Sequence, residues 1–194
     1  MERQVTGVTA AFPGQDLSRH VNQFSTRNKI GRALWGVVQA TLFRMSPRPL
    51  FGWRRWLLRL FGAKVGPHAR IDPNCRVLAP WNLEIGEWAV VGPGTDLHSV
   101  GRVVIGRHSM VSQYCHLCAG THDPTRPELP LVAQDVIVGE SCWICAGAFL
   151  GPGVTVGSGS VVGARAVVMQ PVPERVVVMG NPAKVVLPRR IREA

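Results

Sequence analysis

From Val65 onward an aliphatic residue returns at every sixth position, often followed by Gly and, four places on, by a small residue. The stretch "VGESCWICAGAFLGPGVTVGSGSVVGARAV", Val138 to Val167, runs through five such hexads without a slip. The aliphatic positions fall into groups of three: Val65, Ile71, Val77; Ile85, Val91, Leu97; Ile105, Val111, Leu117. After an interval come Val138, Ile144, Leu150 and then Val156, Val162, Val168. A six-residue unit of short strand and turn cannot bury its own apolar side chain, but stacked units align equivalent positions into one interior column. The pattern therefore predicts an all-β main domain over 65–173, a triangular parallel β-helix of about five coils of 18 residues each. A β-sandwich, the rival for a Val- and Gly-rich chain, asks for turns every 8 to 12 residues or so. A fixed period of six opposes it.

Two further positions of the hexad carry expectations. The fifth (Ala69, Cys75, Ala89, Thr95, Ser109, Cys115, Thr121, Cys142, Ala148, Ser160, Ala166) is small enough for a tight corner, with Trp81 and Val154 as exceptions. The second is often Gly (66, 86, 92, 106, 139, 151, 157, 163), read as supplying turns of unusual φ/ψ.

The regularity fails once. Residues 123–137 separate the third turn from the fourth, and the break begins immediately after His122 in "GTHDP". The following "DPTRPELP" cannot continue a strand ladder, because Pro lacks the donor, and excursions of this length are often functional. This setting singles out His122 among six histidines as a candidate general base. Either Asp123 or a backbone carbonyl could orient its ring.

Residues 1–64 differ in kind. They hold 11 Lys/Arg against 2 Asp/Glu, whereas 65–194 hold 11 against 10, so the net charge of +10 belongs almost wholly to the N-terminal segment. Over 28–61 helical spacing brings Trp35, Trp53, Trp56, Phe43, Phe51 and Phe61 together with arginines, in one or two helices broken near "SPRP". Such a segment can cap the open end of a coil or lie on an anionic membrane surface. Large apolar residues interleave the basic ones and match no nucleic-acid reader, so no nucleic-acid partner is expected. No apolar run is long enough to span a bilayer, no secretory core is present and the five cysteines are an odd number. These features lead to a cytoplasmic expectation with reduced thiols, at the inner face of the membrane if the basic segment docks there. "CHLC" and "CWIC" resemble a zinc pattern, but the hexad register sets the four sulfurs on different faces or corners.

The repeat, together with "DLS" at 16–18, "QATLFRMSP", "LLRLFGAKVG" and "GNPAKVV" at 180–186, resembles the hexapeptide-repeat acyltransferases. Within them it is most similar to the small O-acetyltransferases related to maltose, galactoside and nodulation-factor acetyltransferases, and to the colanic-acid-biosynthesis acetyltransferase group. The resemblance implies a left-handed coil, a homotrimer with active sites between subunits, and transfer from acetyl-CoA without a metal. The acceptor it implies is a hydroxyl of a sugar, polysaccharide precursor or lipid-linked oligosaccharide. The family's base is a His in a T-x-H or T-G-H setting, which His122 matches. Carried over in the same way, the coenzyme arm runs past Ala146 and Ala164, with Trp143 near the thioester and Lys184 and Arg189 toward the phosphates. Where relatives carry an acceptor-binding Asn, "VGPGTDLHS" offers Asp96 and His98. That departure leaves the acceptor open. It also leaves room for an N-acetyltransferase of an amino sugar or xenobiotic, with Asp96 holding an ammonium, and for a non-catalytic scaffold. A carbonic-anhydrase-like zinc site is the remaining alternative, which the spacing of His98, His108, His116 and His122 does not reproduce. Residues 174–194 read as a short C-terminal extension.

Overall fold

The computed structural model describes residues 14–19 and 24–191. In it the hexads become short strands on three faces of a prism. The first face stacks β1 (Lys64–Val65), β4 (Leu83–Ile85), β7 (Val103–Ile105), β12 (Val136–Val138) and β15 (Thr155–Val156). The second stacks β2 (Arg70–Ile71), β5 (Val90–Val91), β8 (Met110–Val111), β13 (Trp143–Ile144), β16 (Val161–Val162) and β18 (Val176–Gly180). The third stacks β3 (Arg76–Val77), β6 (Asp96–His98), β9 (His116–Cys118), β14 (Phe149–Leu150) and β17 (Val167–Val168). All of these pairs are parallel, one turn above the other, and the first-position aliphatics point inward into a single buried column. Each contributes roughly 1.5–3 kcal/mol of burial that an isolated hexad could not obtain.

The count of coils runs slightly past five. Val172 bridges Val156, and β18 pairs with β16, so a partial sixth turn takes up residues expected to lie in the extension. Strand β19 (Ala183–Pro188) folds back antiparallel on β18 and covers that edge.

The second-position glycines have a different cause from the one expected. At Gly66, Gly86, Gly106 and Gly157 φ is ordinary, but a Cβ would stand 2.4 to 2.6 Å from the backbone of the next turn. Close stacking demands Gly there. Positive φ falls instead on the fourth position, which includes His68, Trp88, His108, Tyr114 and Arg165.

The fifth position does more than leave space. Thr95, Ser109 and Ser160 donate their hydroxyls, and Cys75, Cys115 and Cys142 their thiols, to a corner carbonyl of the turn above, at 2.7 to 3.2 Å. Those carbonyls have no strand partner. Cys142 stacks on Ser109, whose Oγ accepts its N–H at 2.9 Å, and Cys115 lies under Ala148. Thr121 is the departure, exposed on the excursion rather than at a corner.

Below the first turn, helix α1 (Thr26–Val38) widens into a π-type turn over Gln39–Phe43, and α2 (Phe51–Leu60) follows the Pro-containing break. These helices close the open end of the coil with side chains. Arg59 donates to Val65 O, Arg55 to Ala69 O and Arg54 to Ile71 O, while Trp35 Nε1 donates to Val77 O and Gln39 Oε1 accepts from Val77 N. The groups that would face a lower turn therefore find partners on all three faces.

Candidate active site

The excursion begins and ends earlier than the hexad count implies. Strands β10 (Gly120–His122) and β11 (Leu131–Ala133) form an antiparallel hairpin, and Val136 is already paired with Val103 on the first face. His122 therefore stands on the outgoing strand of a hairpin rather than at the root of a coil-length loop, opposite Leu131.

Its ring is oriented by backbone. His122 Nδ1 lies 2.6 Å from Leu129 O. A carbonyl only accepts, so Nδ1 carries the hydrogen of this bond. Asp123 is turned to its own loop, where its Oδ1 accepts from Thr125 Oγ1 at 2.6 Å and Thr125 N at 2.9 Å. Those bonds hold its carboxyl below the usual range. Leu129 takes φ +45°, a left-handed conformation that costs a bulky residue about 1 kcal/mol or more. The strain sits on the residue whose carbonyl aims the imidazole. "DLS" also reaches this hairpin, Asp16 N donating to Pro127 O at 3.0 Å.

On the outer surface of the third face, Asp96 and His98 of β6 meet His116 of β9, and one ligand-capable atom from each lies within 4.8 Å of the others. His116, which the sequence raised only as one of four histidines weighed for a zinc site, occupies the rung above Asp96. Asp96 Oδ1 and His116 Nε2 are both buried without a hydrogen-bond partner among the described residues. Burial pushes the His98 pKa down, Asp96 opposes it, and His116, Arg76 and Arg32 add to the lowering. Two imidazoles and a carboxylate would suit a transition metal ion by donor type. Arg76, 3.8 Å from Asp96 Oδ2, and the nearby Arg32 set a positive field that favours a neutral or anionic ligand instead.

The residues expected along the coenzyme lie elsewhere. Trp143 faces outward on β13, half exposed, with Nε1 donating to Ser112 Oγ at 3.0 Å. Ala146 and Ala164 stack at the following corner, where Arg165 N donates to Ala146 O. Lys184 is exposed on β19. Arg189 pins another corner through Ser141 O and Gly159 O, so part of its guanidinium is engaged with the coil itself.

Comparison with known proteins bears on what this geometry serves. The chain is 44% identical over 166 residues, 86% of its length and 91% of the relative's, to the Escherichia coli (strain K12) protein named "Putative colanic acid biosynthesis acetyltransferase WcaF". The chain belongs to the hexapeptide-repeat acetyltransferase family. Residues 135–170 match the model of the bacterial transferase hexapeptide (six repeats). The fold of this hexapeptide-repeat acetyltransferase is that of a maltose O-acetyltransferase from Clostridium difficile 630, with a TM-score of 0.77 and 24% identity over 86% of this chain and 90% of that one. It is also that of a hexapeptide-repeat acetyltransferase from Vibrio cholerae O1 biovar eltor solved with acetyl coenzyme A, with a TM-score of 0.79 and 20% identity over 89% and 94%.

Proposed function

We propose that this acetyltransferase moves an acetyl group from acetyl-CoA to a hydroxyl of a sugar or polysaccharide precursor, with His122 as general base. The observation that carries the reading is the bond from His122 Nδ1 to Leu129 O, which fixes the ring and assigns the proton-accepting role to Nε2. Nε2 removes the acceptor's hydroxyl proton as the oxygen attacks the thioester carbonyl. Backbone N–H groups hold the tetrahedral oxyanion, and coenzyme A leaves as a thiolate that recovers the proton from the imidazolium. The donor is a substrate, bound along Trp143, Ala146 and Ala164 with Lys184 and the free side of Arg189 toward its phosphates. The names of WcaF and of the maltose enzyme support a saccharide acceptor. Arg76 and Arg32 beside Asp96 oppose an ammonium there, which favours O- over N-acetylation.

The reading includes a homotrimer with sites between subunits and a cytoplasmic location. It also includes contact of the exposed α1–α2 surface (Leu34, Met45, Trp53, Trp56) with an anionic membrane. Among the described residues no helix is long and apolar enough to cross a bilayer.

The test is His122→Asn, assayed by thiol release with a panel of sugar acceptors. The rate is expected to fall by roughly 10² to 10⁴ with oligomer and coenzyme A binding intact. A variant that keeps most of its activity in an intact oligomer would place the base elsewhere.

A further inference from the structure

A groove of about 370 Å³ opens between α1 and β3, and Arg76 on its wall lies 3.8 Å from Asp96. Lys29 and Arg32 on α1 and Arg76 on β3 line it, and no carboxylate does. Lys29 and Arg32 are three residues apart on α1 and so lie on the same side of the helix. Among the described residues neither meets an acidic side chain within 4.0 Å. The Arg32 guanidinium rests on the Phe24 ring, 4.7 Å from its centre. Arg76 has Asp96 at 3.8 Å, a long and partly exposed pair worth about 0–1 kcal/mol, which leaves the guanidinium able to turn to another anion. The α2 arginines, by contrast, are bonded to coil carbonyls. Three cations line a concave surface that has no carboxylate of its own and only Asp96 beside Arg76, so they repel one another, and a bound anion reduces that repulsion while offering the bidentate geometry guanidinium groups suit.

The groove adjoins, through Arg76, the half-buried Asp96 and His98, whose outward polar surface is of the kind that sugar hydroxyls meet, while Asp96 Oδ1 and His116 Nε2 are closed to solvent. A volume of 370 Å³ is within the usual range for a small-molecule site.

We propose that Lys29, Arg32 and Arg76 bind an anionic group, carboxylate or phosphate, carried by the acceptor sugar, beside the Asp96 and His98 positions that the family resemblance already assigns to the acceptor. The word acceptor rests on the acetyl-transfer reading above. The anion site rests on the groove itself.

The experiment has a binding arm and a transfer arm, both on the full chain. In the first, glucose 1-phosphate and glucuronate are titrated at low salt by calorimetry, with glucose as the neutral control. At least one anion is expected to bind about tenfold or more tightly than glucose, and the better of the two identifies phosphate or carboxylate. The double variant Lys29→Gln, Arg32→Gln should lose about tenfold of that affinity, and Lys29→Arg, Arg32→Lys should keep most of it. No preference for either anion, or equal binding by the Gln variant with an unchanged melting curve, overturns the proposal. The charge-keeping variant serves as the reference if the Gln variant melts early. In the second arm, acetyl-CoA is added and KM is compared: the Gln variant should raise KM for the anionic sugar and leave it unchanged for glucose. Anion binding without any acetyl transfer supports the groove and counts against the acetyl-transfer reading. Transfer to glucose and glucuronate with equal KM, unmoved by the variants, overturns the groove and leaves that reading standing.

Discussion

Arg54 Nε donates to the carbonyl of Ile71 at 2.6 Å from a fully buried position, while its Nη1 reaches Ser46 Oγ at 2.8 Å and Pro47 O at 2.9 Å. One guanidinium thus joins the break between the helices to the open edge of the second face. Arg54→Met would leave Ile71 O buried and unpaired and remove the guanidinium from Ser46 Oγ and Pro47 O, which keep their bonds to Phe43 O and Leu50 N, at about 1–3 kcal/mol for each lost bond that water does not replace. The expected loss is on the order of 3–5 kcal/mol by urea unfolding, against less than about 0.5 for Arg44→Met on the surface. A loss below about 1 kcal/mol for Arg54→Met would remove the cap from the account of stability.

The capping role changes how membrane contact is tested. Arg54, Arg55 and Arg59 face the coil, so replacing them perturbs the fold rather than a binding surface. Trp53 and Trp56, stacked 5.1 Å apart and exposed, are the better probes. Trp56→Ser with Met45→Ser is expected to cut sedimentation with anionic vesicles several-fold at unchanged melting temperature, since buried apolar area sets much of such binding. Equal sedimentation by both proteins would leave this surface without a membrane role.

Two glycines separate close approach from helix propensity. Gly86→Ala places Cβ 2.4 Å from Arg107 N, a backbone atom of the turn stacked above, and should cost at least about 2 kcal/mol. Gly36→Ala, on the open side of α1 with nothing within 4 Å, should stabilise by about 0.5–1 kcal/mol. Thermal melts of the two variants should shift in opposite directions.

Leu129 offers a test of how His122 is aimed. Leu129→Gly keeps the carbonyl and tolerates φ +45°, so activity should stay within a few-fold of wild type. Leu129→Pro cannot adopt that φ and also removes the N–H bonded to Arg126 O, which moves the acceptor of His122 Nδ1. Its kcat should fall by about tenfold or more toward the His122→Asn level, with KM for acetyl-CoA little changed. Equal rates in the two variants would show that Leu129 does not orient the ring.

Burial pushes the Cys75 thiol up to about 12 and the Cys115 thiol up to about 11. Both are neutral in the fold, whereas an unfolded thiol loses its proton near pH 8.5. Their contribution is therefore complete below about pH 8.5 and is lost as pH rises toward 11 to 12, at about 1.4 kcal/mol per pH unit per thiol. The double variant Cys75→Ser, Cys115→Ser keeps the corner donors without the titration. Its stability should fall less steeply than wild type between about pH 9 and 11, and parallel curves would refute the assignment.

The hexads were legible because stacking gives every sixth residue the same surroundings, so Ile71 and Val91 face one column and look alike in the chain. The reason for the second-position glycines was not legible, since Gly serves positive φ and close approach alike. Only the stacked backbones distinguish them. The hairpin's far boundary was missed because the six-residue count follows Val138, whereas both Val136 and Val138 of β12 point inward with the strand's period of two. His122 could be found from the break it precedes. His116 could have been found by placing β9 over β6, which sets it one rung above Asp96. The α2 arginines read as a basic face because a sequence does not say whether a guanidinium meets lipid, water or carbonyl oxygen.

Where the hairpin leaves the coil, Ala119 O accepts from both Gly101 N at 2.8 Å and Gln134 N at 3.1 Å, so the two ends of the excursion are tied at its base before Val136 rejoins Val103. The turns on either side meet almost as if nothing stood between them. Hairpin and scaffold are therefore separable: Asp123 to Pro130 can change length while the ladder beneath stays closed. A lineage built on this coil is free to redraw that one ribbon while the buried column beneath it stays the same.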